Sequence, residues 1–335
     1  MNFYFLLTES CNLKCKHCIR GDSIKSFVSY EDAIFVIDSI YQYDSNATLI
    51  FSGGEPTIHK DFTKILSYAL NLFPRVVLNS NGTTKFYSEK LFEIDLKKLI
   101  IQFSLDGDEK LHDFIRGYGS FKKTINNIKF INKLQKPIWI STVVTKENFE
   151  SIKKLPSILK DFNIKQWHVS PVMPFGNGKN VKDISIDEWN KLVDEIINIT
   201  PFRLSIRKLF NFDSLEKLSN SELNCISHNS RCIENKNCGC GTKKIYIYPN
   251  LNVYACTCLK DDSFGNLRQS DLEQVLNTNI ANKYKYYKVK EDSVCFTCRY
   301  KNICNGGCIG MSKVFFGDIG YGDIRCPIVR SRING

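Results

Sequence analysis

An α/β fold is predicted, a partial (β/α)6 barrel followed by a small cysteine-rich domain with short β-strands, and three observations predict it. Up to about residue 200, short apolar, β-branched or aromatic runs alternate with longer amphipathic stretches, the pattern of βα units around a parallel sheet. Several of these runs are nearly continuous in apolar residues, as strands are when both faces of a parallel sheet are covered. From residue 232 onward the chain turns to cysteines, glycines, aromatics and short strands. The expected division is a barrel over residues 1–200, a bridging segment over 201–231 and a cysteine-rich domain over 232–335.

Six βα units fit into the first part. The strand Phe3 to Thr8 runs into a loop spanning Cys11 to Cys18, and a helix is expected over Tyr30 to Tyr43. The strand Thr48 to Phe51 leads into Gly53-Gly54-Glu55-Pro56 and a helix over Phe62 to Phe73. The strand Arg75 to Asn79 leads into Asn79-Ser80-Asn81-Gly82 and a short helical piece near Phe86 to Phe92. Leu99 to Ser104 leads into Ser104-Leu105-Asp106-Gly107 and a helix over Ser120 to Leu134. Ile138 to Val144 with Phe149 to Phe162, and Gln166 to Ser170 with Ile186 to Ile199, complete the set. In such barrels the functional side chains sit in the loops after the carboxyl ends of the strands. The four motifs just named all fall there, which argues for one shared pocket. Pro201 breaks the helical pattern, the bridging segment holds a helix around Asp213 to Ser219, and Lys244 to Tyr248 reads as a strand.

With 43% hydrophobic and 24% charged residues in 335, the composition is that of a folded chain, long enough for one large domain and a smaller one. The N-terminal stretch Met1 to Glu9 has no basic leader, and its apolar run is too short for a secretory core or a membrane span. A cytoplasmic location is therefore expected. The 46 basic against 35 acidic residues give a net charge of +11. Such a balance suits an acidic partner, or a solvated lysine-rich surface, since the basic residues are spread along the chain.

Fourteen cysteines in a chain without an export signal call for metal ligation, because a reducing compartment does not sustain a disulfide framework. Three lie between residues 11 and 18, none between 19 and 224, and eleven between 225 and 326. Cys11-x3-Cys15-x2-Cys18 offers three thiolates from one tight loop. Three thiolates on a four-iron cluster leave one iron open, and an open position is what separates a reactive metal site from a closed structural one. A zinc knuckle, with His17 as fourth ligand, is the alternative for this loop.

These residues together resemble the radical S-adenosylmethionine (SAM) superfamily, whose hallmark is Cys-x3-Cys-x-aromatic-Cys; His17 stands where Tyr or Phe is usual and keeps a flat ring. The resemblance implies a 4Fe-4S cluster on Cys11, Cys15 and Cys18 whose open iron takes the amino and carboxylate groups of SAM. One electron then cleaves SAM to a 5′-deoxyadenosyl radical. It implies that Gly53, Gly54, Glu55 and Pro56 receive the methionine amino group, where glycines permit close approach and a carboxylate complements an ammonium. Ser104 and Arg116, with Asp106 in the same stretch, match the family's contacts to the methionine carboxylate, for which a planar guanidinium is suited. Asn81 resembles a ribose-contacting position, and Val169 to Met173 the segment flanking adenine. Read on its own, Arg116 could instead form a surface ion pair with Asp113.

The C-terminal run Cys295-x2-Cys298-x5-Cys304-x3-Cys308, with Cys326 after a gap, resembles the closing half of a SPASM domain. Cys238-Gly239-x-Gly241-Thr242 and Cys256 resemble its opening half, with Asn250-Leu251 where Asp-Gly is usual. The resemblance implies one auxiliary 4Fe-4S cluster on Cys232, Cys238, Cys256 and Cys308 and another on Cys295, Cys298, Cys304 and Cys326, three clusters in all. Paired zinc sites are the alternative, and Cys240 or Cys258 could replace its neighbour as ligand. Cys225 is either a hydrogen-atom donor to a substrate radical or an incidental buried thiol.

The function this implies is a peptide-modifying maturase that abstracts a substrate hydrogen atom, leading to epimerisation or to thioether or carbon-carbon crosslinking of a ribosomally made precursor. A sulfatase-type formylglycine maturase, a small-molecule radical SAM dehydrogenase and a non-catalytic iron-sulfur electron carrier are the alternatives. The expected partners are the peptide and a reductant such as flavodoxin or ferredoxin, with no nucleic acid and no membrane. Because Cys11 lies so near the N-terminus, no separate peptide-recognition domain is expected ahead of the barrel.

Overall fold

A computed structural model describes residues 1–84, 96–206, 208–216, 219, 222 and 238–333. Seven parallel strands follow one another in a sheet, β1 (Asn2–Thr8), β2 (Thr48–Gly53), β3 (Arg75–Ser80), β4 (Leu99–Ser104), β5 (Ile138–Val144), β6 (Ile164–Pro171) and β7 (Arg203–Ser205). Between them run α1 (Tyr30–Tyr43), α2 (Phe62–Leu72), α3 (Glu109–Arg116), α4 (Ser120–Lys133), α5 (Leu155–Leu159) and α6 (Ile186–Ile199). The α/β fold and the cysteine-rich C-terminal region with its short strands are as the sequence predicts, and the candidate helix near Phe86 to Phe92 lies outside the described residues.

Alternation along each strand decides what faces what. Phe3, Phe5 and Leu7 of β1 are fully buried and pack outward with Val36, Ile37 and Ile40 of α1 and Ile65 and Leu66 of α2. Burying each such side chain is worth roughly 1.5–3 kcal/mol. Leu6 points to the other face and packs with Tyr246, Tyr248 and Tyr254. Below the loops the inner face encloses a cavity of about 170 Å³ lined by Asn2, Tyr4, Thr48, Arg75, Gln102 and Trp139, among others. Ile50 and Val77 also line this cavity, which thus mixes polar, aromatic and aliphatic side chains.

Local chemistry sets the helix starts. Ser29 accepts from the Asp32 amide to cap α1, Asp108 accepts from Leu111 to cap α3, and Ser185 with Glu188 forms a reciprocal capping box on α6. The expected helix over Phe149 to Phe162 is instead a 3-10 turn, Ser151–Lys154, running into α5. Pro156 lacks an amide hydrogen and sits in the first turn of α5, the helical position that tolerates it.

Beyond the short helix α7 (Asp213–Glu216), three strands extend the same sheet: β8 (Lys244–Ile247), β9 (Asn252–Tyr254) and β10 (Ser263–Asn266). The order is β10-β9-β8-β1-β2-β3-β4-β5-β6-β7. β8 pairs parallel to β1, from Asn2 opposite Lys244 to Phe5 opposite Ile247, and β9 and β10 fold back antiparallel. The cysteine-rich region therefore begins as a continuation of the barrel wall. It ends in α8 (Leu272–Val275), α9 (Asn279–Lys285), α10 (Lys301–Cys304), α11 (Ile309–Phe316) and α12 (Pro327–Ile333). Among the described residues β7 and β10 are the edges, and the wall does not close on itself. No helix among the described residues is long and apolar enough to cross a membrane.

Candidate functional site

The loop after β1 is held in shape by its own backbone. Thr8 Oγ1 donates to the Ser26 carbonyl (2.6 Å), Ser10 Oγ to that of Ile24 (3.0 Å), and the Cys11 amide to Ser23 Oγ (2.9 Å). The Lys16 amide reaches the Ile115 carbonyl at the end of α3 (2.9 Å), and the Asn177 amide reaches that of Cys18 (2.8 Å). Cys11 Sγ accepts from the Leu13 amide (3.4 Å) and from Asn81 Nδ2 (3.7 Å). Burial pushes up the thiol pKa values of Cys11 and Cys15, that of Cys15 to about 11 even with the Arg116 guanidinium nearby. These two thiols keep their protons at neutral pH until a metal takes the sulfur.

The second loop lies against the first so closely that only glycine fits. A Cβ on Gly53 would stand 2.2 Å from the Thr8 carbonyl oxygen, and one on Gly54 2.0 Å from that of Ser10. Without side chains the two loops join by Gly54 N to Thr8 O (2.8 Å) and Glu55 N to Ser10 O (2.9 Å). Glu55 is fully buried. Its Oε1 accepts from the Thr57 amide (3.2 Å), Thr57 Oγ1 (2.5 Å) and Ser80 Oγ (2.9 Å), while Oε2 accepts only from the Asn81 amide (2.7 Å). Burial raises the Glu55 pKa, and these donors work against that rise. Glu55 thus pins the second loop to the third and keeps acceptor capacity on Oε2.

The fourth loop carries a charge centre. Asp106 is fully buried; its Oδ2 lies 2.7 Å from His17 Nε2 and accepts from Arg116 Nε (2.5 Å), and its Oδ1 accepts from the Val143 amide (2.8 Å). Desolvation opposes the ionised carboxylate, yet Arg116 and then His17 hold its pKa far below the usual range. The surface pairing of Arg116 with Asp113 is not what the structure has. Arg116 is buried against Asp106, and Asp113 instead caps the start of α4 by accepting from the amides of Gly119 (2.7 Å) and Phe121 (2.8 Å). α3, which the sequence reading passed over, turns Arg116 inward. It also seats His112, whose Nδ1 accepts from the Asp106 amide (3.2 Å) and whose pKa burial lowers to about 4. Ser104 ends β4 half-buried, opposite Ser141 of β5. Val169 packs its side chain into the helix-facing core; its neighbours His168 and Ser170 fall on the other face, with His168 Nδ1 3.1 Å from Ser205 Oγ.

The C-terminal cysteines fall into two sets. Cys295, Cys298, Cys304 and Cys326 line one small cavity, and burial pushes the thiols of Cys295 and Cys304 up to about 12. Cys238, Cys240, Cys256, Cys258 and Cys308 lie within electrostatic reach of one another, the Cys258 thiol and amide both donating to Cys256 Sγ. Burial raises Cys308 to about 12. Cys240 and Cys258 sit as near to this set as their neighbours do, so the choice between them stays open. Cys225 and Cys232 lie outside the described residues. Among the described residues, no three His, Cys, Asp or Glu side chains converge on a point suited to one metal ion. Four-iron clusters ask instead for thiols spaced around a larger body.

The fold and these loops agree with what the chain is similar to. The model of the radical SAM superfamily matches residues 5–157, and that of the SPASM iron-sulfur cluster-binding domain matches residues 238–299. The AdoMet-dependent heme synthase of Methanosarcina barkeri is 28% identical over 328 residues, covering 93% of this chain and 92% of the relative. The antilisterial bacteriocin subtilosin biosynthesis protein AlbA of Bacillus subtilis is 26% identical, covering 91% of this chain and 66% of AlbA. The crystal structure of Streptococcus suis SuiB bound to S-adenosylmethionine shares the fold with a TM-score of 0.77 at 19% identity, over 97% of this chain and 77% of SuiB. The chain is a radical SAM enzyme with a C-terminal SPASM domain, and so carries SAM-binding and iron-sulfur cluster-binding regions.

Proposed function

We propose that the protein modifies a ribosomally made peptide, using three 4Fe-4S clusters and SAM. Cys11, Cys15 and Cys18 hold the first cluster. Cys232, Cys238, Cys256 and Cys308 hold the second, and Cys295, Cys298, Cys304 and Cys326 the third. When bound, the first cluster and SAM supply a carbon radical able to abstract a hydrogen atom from an unactivated C–H bond.

The residues fit these groups by their own chemistry. Three thiols on one loop leave a coordination position open, and the bare Gly53 and Gly54 let the second loop close onto the cysteine loop, bringing Glu55 beside it. Glu55 Oε2 is an acceptor for an ammonium, and Ser104 with Arg116 serves a carboxylate, Arg116 being oriented by Asp106. Asn81 orients Cys11, and Pro56 fixes the turn that presents Glu55. Val169 contributes to the adenine-flanking segment through its backbone, since its side chain is in the core. Cys225 is the candidate hydrogen-atom donor.

The observation that favours a peptide substrate is the fold shared with Streptococcus suis SuiB bound to its precursor peptide SuiA, at a TM-score of 0.76 over 98% of this chain. The relatives AlbA and the mycofactocin maturase MftC of Mycolicibacterium smegmatis support it by their names. A second reading, a SAM-dependent step in heme synthesis, is favoured by the heme synthase alignment along 92% of that relative. A cytoplasmic setting and a flavodoxin or ferredoxin reductant accompany either reading.

The test is anaerobic reconstitution with iron and sulfide. About twelve irons per chain and reductant-dependent 5′-deoxyadenosine are expected, followed by mass spectrometry of a co-expressed candidate peptide and, in parallel, of an iron porphyrin. Uptake of one solvent deuterium marks epimerisation, and loss of two hydrogens marks crosslinking. Zinc in place of iron, or no cleavage of SAM, overturns the proposal; a changed porphyrin beside an unchanged peptide selects the second reading.

A further inference from the structure

Between the two C-terminal thiol sets lies an ion pair that the ligand pattern does not account for. Asp323 is 1% exposed, directly follows Gly322, which like Gly320 has a left-handed φ, and lies three residues before Cys326. Its carboxylate is gripped from two directions. Arg325 donates from Nε to Oδ1 (3.0 Å) and from Nη2 to Oδ2 (2.7 Å), and the Cys308 amide donates to Oδ2 (3.2 Å). The Asp323 carbonyl in turn accepts from the Cys326 amide (2.9 Å). One residue thereby touches the backbone of a cysteine from each set. Gly307 has no side chain because a Cβ there would stand 2.8 Å from Asp323 Cβ.

The Asp323 carboxylate therefore stands beside a cysteine of each set, held on Cys308 by its Oδ2 and on Cys326 by its own carbonyl, and Arg325 is clamped on that carboxylate. Arg325 is nearly buried too, and its Nη1 reaches Met173 Sδ (3.3 Å) in the loop after β6. A fully formed pair out of water is costly to build and is not needed to fill space, since apolar residues of similar volume do that as well or better. Iron-sulfur potentials respond to nearby charge and to hydrogen bonding at the site, and a buried charge acts at low dielectric, where its field is least screened.

We propose that Asp323 and Arg325 are positioning residues that set the reduction potentials of the two auxiliary clusters in opposite senses, Asp323 lowering them and Arg325 raising them. This rests on the reading that these thiols hold iron.

The experiment is an EPR-monitored redox titration of the full chain, anaerobically reconstituted, in a background with Cys11, Cys15 and Cys18 replaced by alanine so that only the auxiliary clusters report. Iron and sulfide are counted first: absence of iron refutes the iron-sulfur reading and the role of the pair with it, whereas the midpoints of an iron-loaded protein test the pair alone. With iron present, Asp323→Asn is expected to shift the midpoints upward, Arg325→Gln to shift them downward, and Arg325→Lys, which keeps the charge, to leave them near the wild-type values. Shifts of the same sign in the Asn and Gln variants, or no shift in either, overturn the proposal. Should Asp323→Asn fail to retain iron, the Gln and Lys variants decide alone, and equal midpoints in those two overturn it.

Discussion

Replacing Asp106 by Asn tests whether the buried charge centre holds the SAM-side loops together. Asp106 Oδ1 accepts from the Val143 amide while Oδ2 faces His17 and Arg116, so an Asn side chain must turn its NH2 toward a donor on one side or the other. Arg116 remains buried with no compensating charge. Breaking a buried pair by removing one partner costs about 3–5 kcal/mol. With an unfolding entropy of about 2.1 cal/mol/K per residue, the 335-residue chain has about 0.7 kcal/mol/K in total, so Tm falls by roughly 4–7 °C. The assay is thermal unfolding of the metal-free, reduced protein followed by circular dichroism. A double variant, Asp106→Leu with Arg116→Met, removes both charges and should recover most of the loss, because a matched apolar pair replaces the ions. A fall of less than about 1 °C for Asp106→Asn, or additive losses in the double variant, would show that Arg116 does not depend on Asp106.

Three further outcomes are expected. Gly54→Ala forces a Cβ to within 2.0 Å of the Ser10 carbonyl oxygen, so 5′-deoxyadenosine formation should drop by about 10²-fold or more with the circular dichroism spectrum retained; near wild-type cleavage would contradict the two-loop geometry. His112 is held neutral in the folded state down to about pH 4, while in the unfolded chain it protonates near pH 6.5. The unfolded state then binds more protons between these values, stability falls as the pH drops from 6.5 toward 4, and the total is about 3 kcal/mol. His112→Asn should flatten that part of a urea-midpoint profile, and an unchanged acid slope would count against it. Cys18→Ala should abolish SAM cleavage while the iron assigned to the C-terminal sets stays bound; simultaneous loss of all iron would mean that the sites are not independent.

Strand and helix bounds were legible where local pattern suffices. Leu99 to Ser104, Ile138 to Val144, Tyr30 to Tyr43 and Ile186 to Ile199 stand where their periodicity puts them. Pairing partners were not legible, because alternation tells which face a residue takes and not which strand lies beside it. The union of β8 with β1 is therefore invisible in Lys244 to Ile247. α3 was missed because eight residues with few apolar positions give little periodic signal, although Asp108 three residues before Leu111 is a cap signature. In the site, the glycines and cysteines were legible because backbone closeness and metal ligation each demand one residue type. His17 read only as a flat ring, since its tie to Asp106 spans 89 positions and depends on how two loops meet. The Asp323–Arg325 pair had no sequence signature at all, an Asp and an Arg two residues apart being common on any surface.

The pairing of β1 with β8 has a consequence for how the chain reaches this state. β1 is made before the other strands of this sheet, and its outer edge stays open until the residues opposite it, from Lys244 on, leave the ribosome. At roughly 5–20 residues per second, the 242 residues from Asn2 to Lys244 take about 12–48 s. For that time Phe3, Phe5 and Leu7 belong to a strand with a row of unsatisfied amides and carbonyls, the kind of edge that recruits other chains. Late closure by so distant a segment is slow by topology, so the yield of native protein depends on what shelters that edge during synthesis as much as on the stability of the finished fold.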